Sequence, residues 1–387
     1  MTLVVKQRIY LIKSRCLAAA FLFSSKHKLN RFFVIAALLA LVSCSQGTRH
    51  HEFSGATMGT HFRVLLTQLS GADIESLPGI EQAVQDELAS VSQQMSTYIE
   101  SSEISRFNKL PAAECLPVSE QLLHVTRTAM EIAAASGGAF NPLLGPLIER
   151  WGFGREHGTF VLPAREEIEM LRKTIATENI SFGVAPARLC KHADSVALDL
   201  SAIAKGHGVD RIAALLERNK LHSYLVDIGG EMRVSGLNKQ LKLWHLAVEA
   251  PERLTKAGEA GVASLLRLTS AAVATSGDYR NFINHDGQFY SHTLDPETGT
   301  PVTHQLASVT VIADSAMRAD AWATALLAAG PEQAIALAGQ QNLAVLLLKR
   351  SASSIDKAQP PADWQPGQGD WYSWSSPEMQ KYLVTPG

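Results

Sequence analysis

Two segments far apart in the sequence carry the groups that a phosphate-bearing ligand with a divalent cation requires. Asp320 and Thr324 are four residues apart in a stretch with helical spacing, so they share one helix face and can offer a carboxylate and a hydroxyl to one hard cation. Upstream, Asp199 precedes a Ser-Ala pair and then Lys205-Gly206, which supply a positive charge and a close backbone approach. Each segment alone is typical of a solvated helix edge or a cap. Together they predict a phosphate site with Mg²⁺.

One histidine has a sequence context that suits proton transfer. His292 follows Ser291 and precedes the turn-forming pair Asp295-Pro296. A general base needs a pKa near the working pH, and histidine is the usual choice. The alternative is that its ring only anchors the following turn through Asp295 or a backbone carbonyl. The sequence leaves both interpretations open.

Three glycine-containing segments allow the backbone to approach a ligand closely. Met58 lies between the glycines of Gly55–Thr60, and the loop Gly137–Gly145 contains an aromatic ring and an amide. Asp227–Glu231 has two adjacent glycines after a predicted strand, which indicates either a phosphate site or a close strand passage. Tyr98 at a helix end can stack on an aromatic ligand or fill an edge of the core. Taken alone, Gly55–Thr60 is better explained as a simple turn.

The elements that must position these residues alternate along the chain, without repeats and without an obvious linker before about residue 353. Helical periodicity predicts helices over Gly79–Met95, Glu120–Ala135, Val209–Glu217, Ala319–Ala329 and Pro331–Gly339. Alternating or continuous apolar runs predict strands over Phe62–Leu66, Ser195–Leu200, His222–Asp227, Trp244–Val248, Ala272–Thr275, Leu306–Ala313, Ala344–Lys349 and Trp371–Trp374. This mixture predicts one α+β domain.

The composition is that of a globular enzyme rather than a nucleic-acid-binding protein. The 387 residues are 46% hydrophobic and 19% charged, which is enough to form a substantial core. The net charge is -2, and no long basic run follows the N-terminal region. We therefore expect no nucleic-acid partner.

The N-terminal residues 1–43 are predicted to be a signal peptide of the lipoprotein type. Basic residues precede the apolar run Phe32–Val42, which is short for a membrane-spanning helix but suits a signal segment. The sequence Leu41–Cys44 resembles a lipoprotein processing site with Cys44 as the lipidated residue, followed by a tether over residues 44–52. An ordinary signal peptide with an incidental Cys44 is the alternative. We expect the folded domain, residues 53–387, to face the periplasm from the membrane.

Export would leave Cys115 and Cys190 in an oxidising compartment. They can form a disulfide only if their Cα atoms lie close enough, and the sequence does not decide this.

Taken in order, the motifs resemble those of the bacterial FAD:protein FMN transferases, the ApbE family of flavin transferase lipoproteins. The matching segments are GATMGT, MSTY with the downstream SRFN, GGAFNPLLGPL, DLSAIAKG, DIGGE, SGDYRNF, SHTLDPETGTPV and ADAWATAL. The resemblance runs from about Glu52 to the C-terminus. It implies a mixed α/β fold of the T-fold-like type, with antiparallel sheets flanked by helices.

The resemblance also implies roles for individual residues. His292 matches the proposed catalytic histidine of the family. The residues that match its flavin-nucleotide contacts are Met58, Tyr98, Ala139, Phe140, Asn141, Asp199, Lys205 and Leu294. Those that match its metal ligands are Ala202 and Ala323 through backbone oxygens, Asp320 through its carboxylate and Thr324 through its hydroxyl. Two positions depart from the pattern, since Asn141 stands where many members carry Asp, and His207 where an aromatic residue is frequent.

The implied reaction is the Mg²⁺-dependent transfer of FMN from FAD to a Thr or Ser hydroxyl of an acceptor protein, with release of AMP. The implied acceptors are extracytoplasmic subunits of Na⁺-translocating NADH–quinone reductase or Rnf-type complexes. One alternative is a Mg²⁺-dependent FAD pyrophosphatase, and family members with Asn at the position of Tyr98 favour hydrolysis, so Tyr98 favours transfer. A second alternative is a non-catalytic FAD-binding lipoprotein, which would need no general base such as His292.

Overall fold

The structure, a computed structural model, describes residues 49–155, 161–251, 261–278, 282–285, 288–351 and 363–384. Its strands are β1 (Arg49–Thr57), β2 (Thr60–Leu69), β3 (Cys115–Pro117), β4 (Ile180–Val184), β5 (Ala187–Lys191), β6 (Tyr224–Ile228), β7 (Glu231–Ser235), β8 (Trp244–Glu249), β9 (Val262–Leu268), β10 (Ala271–Gly277), β11 (Phe282–His285), β12 (Gln288–Ser291), β13 (Leu294–Asp295), β14 (Thr300–Pro301), β15 (Leu306–Ala313), β16 (Ala344–Arg350), β17 (Gln365–Pro366) and β18 (Trp371–Ser375). Its α-helices are α1 (Gly71–Met95), α2 (Glu103–Asn108), α3 (Glu120–Ala135), α4 (Gly145–Arg150), α5 (Arg165–Arg172), α6 (Ser201–Arg218), α7 (Ala316–Ala329) and α8 (Pro331–Gln340).

A nine-stranded sheet in the order β1-β2-β6-β7-β10-β15-β16-β18-β17 organises these elements. Every neighbouring pair in it is antiparallel. The strands β3-β5-β4 form a smaller antiparallel sheet, and β8–β9, β11–β12 and β13–β14 form two-stranded ones. The predicted mixed α/β architecture with antiparallel sheets and helices is confirmed.

The two faces of the large sheet are covered differently. Successive side chains of a strand point to opposite faces. In β2, Val64 and Leu66 pack in a cluster with Leu88 of α1 and with residues of α6, whereas Leu65 packs with Leu246 of the β8–β9 hairpin. The same alternation in β16 places Leu347 with α7 and α8. The helices that carry the predicted site therefore lie on one face, and the hairpin lies on the other.

Three of the differences from the sequence prediction are explained by specific hydrogen bonds. Residues 195–200 do not form a strand, because the side-chain amide of Asn108 bonds both the N–H and the carbonyl of Leu198. Helix α6 begins at Ser201 rather than Val209, since the carboxylate of Asp199 accepts the N–H of Ser201. Helix α1 begins eight residues before its predicted start, where Ser70 forms a capping box.

The sheet begins earlier than the predicted domain. Strand β1 pairs with β2 from Arg49 onward. Residues 49–52, which the sequence assigned to the tether, therefore belong to the sheet. The predicted signal peptide and Cys44 lie outside the described residues. Within the described part of the chain, no helix has the length and apolar character needed to span a membrane.

A disulfide joins the first and middle strands of the small sheet. Cys115 and Cys190 are directly opposite each other in the β3–β5 pair, with their Cα atoms 4.0 Å apart, and their sulfurs are bonded. The structure thus pairs the two cysteines whose pairing the sequence left open.

Candidate active site

Helices α6 and α7 approach closely because α6 has a glycine at their contact. A Cβ atom on Gly206 would overlap the carbonyl group of Ala316 at the start of α7. The N–H of Gly206 donates a hydrogen bond to Oδ2 of Asp320 at 3.0 Å. In an α-helix the same N–H points to the carbonyl oxygen four residues earlier, which belongs to Ala202. The Gly206 amide therefore joins α6 to Asp320 of α7, one helical turn after the predicted ligand Ala202.

The start of α7 is fixed by a carboxylate from α6. Asp210 accepts hydrogen bonds from the Ser315 hydroxyl (2.8 Å) and from the N–H groups of Ala316 (3.0 Å) and Met317 (2.9 Å). The first N–H groups of a helix have no partner within it, and a negative charge there also interacts favourably with the helix dipole. Asp210 therefore sets where α7 begins, and hence where Asp320 lies.

Lys205 lies between two carboxylates of this junction. Its Nζ atom is 3.5 Å from Oε1 of Glu231 and 3.8 Å from Oδ1 of Asp320. The Lys205 side chain is 28% exposed, whereas those of Glu231 and Asp320 are 6% and 3% exposed. Burial alone would lower the pKa of Lys205, but the carboxylates of Asp320 and Glu231 outweigh it and raise that pKa above its ordinary value. Lys205 is therefore a cation at physiological pH.

For the two carboxyl groups beside Lys205, burial favours the neutral form. Burial raises the pKa values of Glu231 and Asp320, although the Lys205 ammonium lowers them, and the charge of Asp320 raises that of Glu231 further. Ionised carboxylates in a poorly solvated place repel each other unless positive charge is close. The junction thus favours cations beside Asp320 and Glu231.

The chemistry of the predicted metal ligands fits a hard cation. Thr324 lies one turn after Asp320 on α7, and its hydroxyl is 3.1 Å from the hydroxyl of Ser276 in β10. Ala323, between them, has a fully buried side chain. Carboxylate, hydroxyl and backbone carbonyl oxygens are the donors that Mg²⁺ prefers in proteins. The described residues contain no group of three or more His, Cys, Asp or Glu side chains that could hold a metal, so a cation here would depend on such mixed oxygen donors.

Asp199 is held in place by three chain segments. Its N–H donates to the carbonyl of Pro142 (2.8 Å), which follows the loop with the predicted flavin contacts. Its neighbour Leu198 is bonded through both backbone groups to the side-chain amide of Asn108 (2.8 Å each). The Asp199 carboxylate accepts the N–H of Ser201 (2.8 Å). Asp199 therefore lies at the N-terminus of α6, where anions and phosphates bind favourably.

The loop of Ala139, Phe140 and Asn141 is fixed by its own hydrogen bonds. The Asn141 amide donates to the carbonyl of Ile175 (2.9 Å), and its oxygen accepts the N–H of Leu143 (2.8 Å). Phe140 is 3% exposed and belongs to the main core, while Ala139 is half-buried. Asn141 thus uses both ends of its amide to shape the loop, and an ionised Asp at this position would have no donor for Ile175.

Tyr98 and Met58 lie at opposite edges of this region. Tyr98 is 57% exposed, and its pKa is raised by burial and then by the negative charges of Asp199 and Glu149, which places it near both. Met58 has φ 47° in the turn between β1 and β2, and its Cε atom would be 3.1 Å from a Cβ atom on Gly208 of α6. The structure therefore brings Tyr98 towards Asp199, and Met58 against α6.

His292 lies just before strand β13, which contacts α7. Its half-buried ring contacts Phe153 edge to face, with 6.5 Å between ring centroids. Leu294 is 3% exposed, and its strand β13 contacts α7. Both carboxylate oxygens of Asp295 accept hydrogen bonds within the turn, from the N–H of Glu297 (2.9 Å) and the hydroxyl of Thr298 (2.8 Å). The turn thus has its own anchor in Asp295.

Sequence reasoning missed the residues that hold these groups in place. Glu231 lies inside a motif that was singled out for its glycines, and its own charge received no role. Asn108 ends a matching motif, but its partner Leu198 is 90 residues away. Asp210 caps a helix that begins 106 residues later. No spacing rule within one segment reveals such contacts.

The chain is similar to known proteins over most of its length. The model of the ApbE family matches residues 58–347. The FAD:protein FMN transferase of Vibrio cholerae serotype O1 is 36% identical over 323 residues, which are 83% of this chain and 94% of the relative. The solved flavin transferase ApbE from Vibrio cholerae superposes with a TM-score of 0.75 at 33% identity, over 87% of this chain and 100% of the other. For the apo flavinyl transferase ApbE of Pseudomonas stutzeri the TM-score is 0.74 at 32% identity, over 88% and 98%. Since the family match covers well over half of the chain, this protein belongs to the ApbE family.

Proposed function

We propose that this protein transfers FMN from FAD to a Thr or Ser hydroxyl of an acceptor protein and releases AMP. The observation that carries the proposal is the junction of α6 and α7, where Asp320 accepts the N–H of Gly206 and lies 3.8 Å from the Lys205 ammonium. A cationic side chain beside oxygen donors for a divalent cation suits the diphosphate of FAD. The names of the relatives, FAD:protein FMN transferase, support the same reaction.

In this reaction the acceptor oxygen forms a bond to the FMN phosphorus, and the bond from that phosphorus to the AMP oxygen breaks. His292 takes the proton of the attacking hydroxyl on an imidazole nitrogen. Lys205 binds the negatively charged diphosphate. Asp320, Thr324 and the carbonyls of Ala202 and Ala323 would hold Mg²⁺, which would supply positive charge for the diphosphate and for the leaving AMP.

The flavin half of FAD would bind between the other predicted contacts. Tyr98 offers an exposed ring for stacking, and Met58 offers a soft apolar surface. Asp199 and the loop 139–141 contribute their backbone and polar groups, and Leu294 contributes buried apolar surface next to α7.

Location and partners extend the proposal. With Cys44 lipidated, the enzyme would be anchored to a membrane and face the periplasm, where the extracytoplasmic subunits of Na⁺-translocating NADH–quinone reductase or Rnf-type complexes are found. A Thr or Ser in such a subunit is the proposed acceptor. Two features support export: the N-terminal segment, in which basic residues precede an apolar run and Cys44, and the disulfide between Cys115 and Cys190.

The test is to incubate the purified protein with FAD, Mg²⁺ and an acceptor domain, and then to record flavin fluorescence of the acceptor in a denaturing gel. We expect a fluorescent acceptor and stoichiometric AMP. Free FMN and AMP without labelled acceptor would indicate a pyrophosphatase, and bound FAD that stays intact would indicate a binding protein. Either result refutes the proposed transfer.

A further inference from the structure

Glu231 is a buried acidic residue that the family resemblance leaves without a role. It is the first residue of β7, directly after the two-glycine turn, and it is 5% exposed. Its Oε2 atom has no hydrogen-bond partner within the described residues. A carboxylate in such a place is costly unless a positive charge pairs with it. The cation beside it is Lys205, with Nζ 3.5 Å from Oε1.

The other acceptors around Lys205 have further tasks. Oδ2 of Asp320 accepts the N–H of Gly206, and Asp320 is the proposed carboxylate ligand of Mg²⁺. Asp199 uses its carboxylate to accept the N–H of Ser201. The carbonyl of Ser201, 3.4 Å from Nζ, is a neutral acceptor. Glu231 is therefore the carboxylate beside Lys205 that the proposed metal site does not use.

A cation bound at Asp320 would repel the Lys205 ammonium, because like charges a few ångströms apart destabilise each other in a poorly solvated site. Lys205 has a flexible four-carbon side chain, and 28% of it is exposed, so it has room to swing outwards. A second carboxylate that does not bind the cation would hold the ammonium in place.

We propose that Glu231 is a positioning residue: its carboxylate holds the Lys205 ammonium where the diphosphate of FAD binds, which leaves Asp320 for the divalent cation. This inference rests on the proposed function, because it takes FAD as the ligand. It predicts that Glu231 matters for ligands with phosphate and not for the flavin ring alone.

The experiment measures binding of FAD and of riboflavin to the wild type and to Glu231→Gln, each with Mg²⁺ and with EDTA. Riboflavin has the flavin ring and no phosphate. The substitution removes the charge and keeps the shape, so FAD should bind about tenfold more weakly with Mg²⁺ while riboflavin affinity stays within about twofold. Equal FAD affinity in the two proteins, or an equal loss for both ligands, overturns the proposal.

Glu87→Gln is the matched control. Glu87 pairs with Arg211 of the same helix α6 at 2.6 Å, so this variant also removes an ion pair from α6 but outside the site. We expect it to bind both ligands as the wild type does. If it weakens FAD binding as much as Glu231→Gln, the effect belongs to the helix as a whole and the proposal fails.

A double-mutant cycle with Lys205→Met tests whether Glu231 acts through Lys205. If it does, Glu231→Gln should weaken FAD binding no further once Lys205 is replaced, whereas additive losses would overturn the proposal. Glu231→Asp, which keeps the charge on a shorter side chain, should bind FAD with intermediate affinity and serves if the Gln variant does not fold. No acceptor is present, so a wild type that binds FAD but transfers no FMN refutes the proposed function and leaves this binding result intact.

Discussion

Removal of the disulfide should destabilise the protein strongly, and the structure gives the size of the effect. The bond links Cys115 and Cys190 across a separation of 75 residues. In the chain-entropy model, a closed loop of that length lowers the entropy of the unfolded state enough to contribute about 4.5 kcal/mol to the free energy of unfolding. The strands that it joins are short, so few other contacts replace it at this edge.

The assay is urea unfolding of the wild type and of the double variant Cys115→Ala/Cys190→Ala, with and without dithiothreitol. For a slope of about 3 kcal/mol per molar urea, the midpoint of the variant should fall by about 1.5 M. Dithiothreitol should lower the wild-type midpoint to the same value and leave the variant unchanged. The double variant thus shows the effect of losing the bond without adding a reductant.

Two results would refute this reasoning. Peptide mapping of the oxidised protein would show both cysteines as free thiols if the bond does not form. Alternatively, a midpoint that stays the same after reduction would show that the small sheet holds together without the bond. Loss of the disulfide should also affect the candidate active site. Lys191 at the end of β5 donates to the backbone carbonyl of Asn108 (2.9 Å), and the side chain of Asn108 bonds Leu198 next to Asp199. We therefore expect weaker FAD binding in the reduced protein.

Four further substitutions test the site and its supports. Asp320→Ala should abolish transfer, as EDTA should in the wild type, and residual metal-independent activity would disprove the metal site. His292→Gly should keep FAD affinity and lose about two to four decades of single-turnover rate, whereas a parallel loss of affinity and stability would indicate a turn anchor. Asn108→Leu should weaken FAD binding about tenfold in a titration, because Leu198 loses both of its hydrogen bonds to the Asn108 side chain. Unaltered affinity would show that these two bonds do not support the site. Burial, and then the charge of Arg211, lowers the pKa of His207 to about 4. Between pH 6.5 and pH 4 the unfolded state therefore binds more protons than the folded state. The free energy of unfolding should fall by about 3 kcal/mol as the pH drops through this range. His207→Phe should flatten that part of the curve in urea titrations at each pH, and an unchanged curve would exclude His207 as the cause.

The sequence predicts the site segments because each has a short, local pattern. Asp320 and Thr324 share one face of α7 through their spacing alone, and the strand Leu306–Ala313 has the predicted bounds because its apolar run is continuous. Helix starts are less predictable, since the partner that satisfies the first N–H groups can come from elsewhere. Asp210 does this for α7, which begins three residues before its predicted start.

Residues 195–200 also show that a local pattern does not identify a distant hydrogen-bond partner. Their apolar residues alternate and so predict a strand, yet the hydrogen bonds of Leu198 go to the side chain of Asn108 rather than to a neighbouring strand. A side-chain amide offers one donor and one acceptor, as an adjacent strand does, so the local pattern is compatible with both. Only the folded chain shows which partner is present.

Helix α6 explains why small residues recur in the segment that the sequence first singled out. Gly206 lets α7 approach until Asp320 reaches its amide, and Gly208 faces the side chain of Met58 at the far edge of the site. Lys205, directly before Gly206, lies beside the two carboxylates, and Asp210, two residues after Gly208, fixes the start of α7. A bulky side chain at Gly206 would therefore do more than create a local clash. It would separate Asp320 from Ala202 and Lys205, so the loss of a small residue would remove the phosphate site while every charged group remained in the sequence.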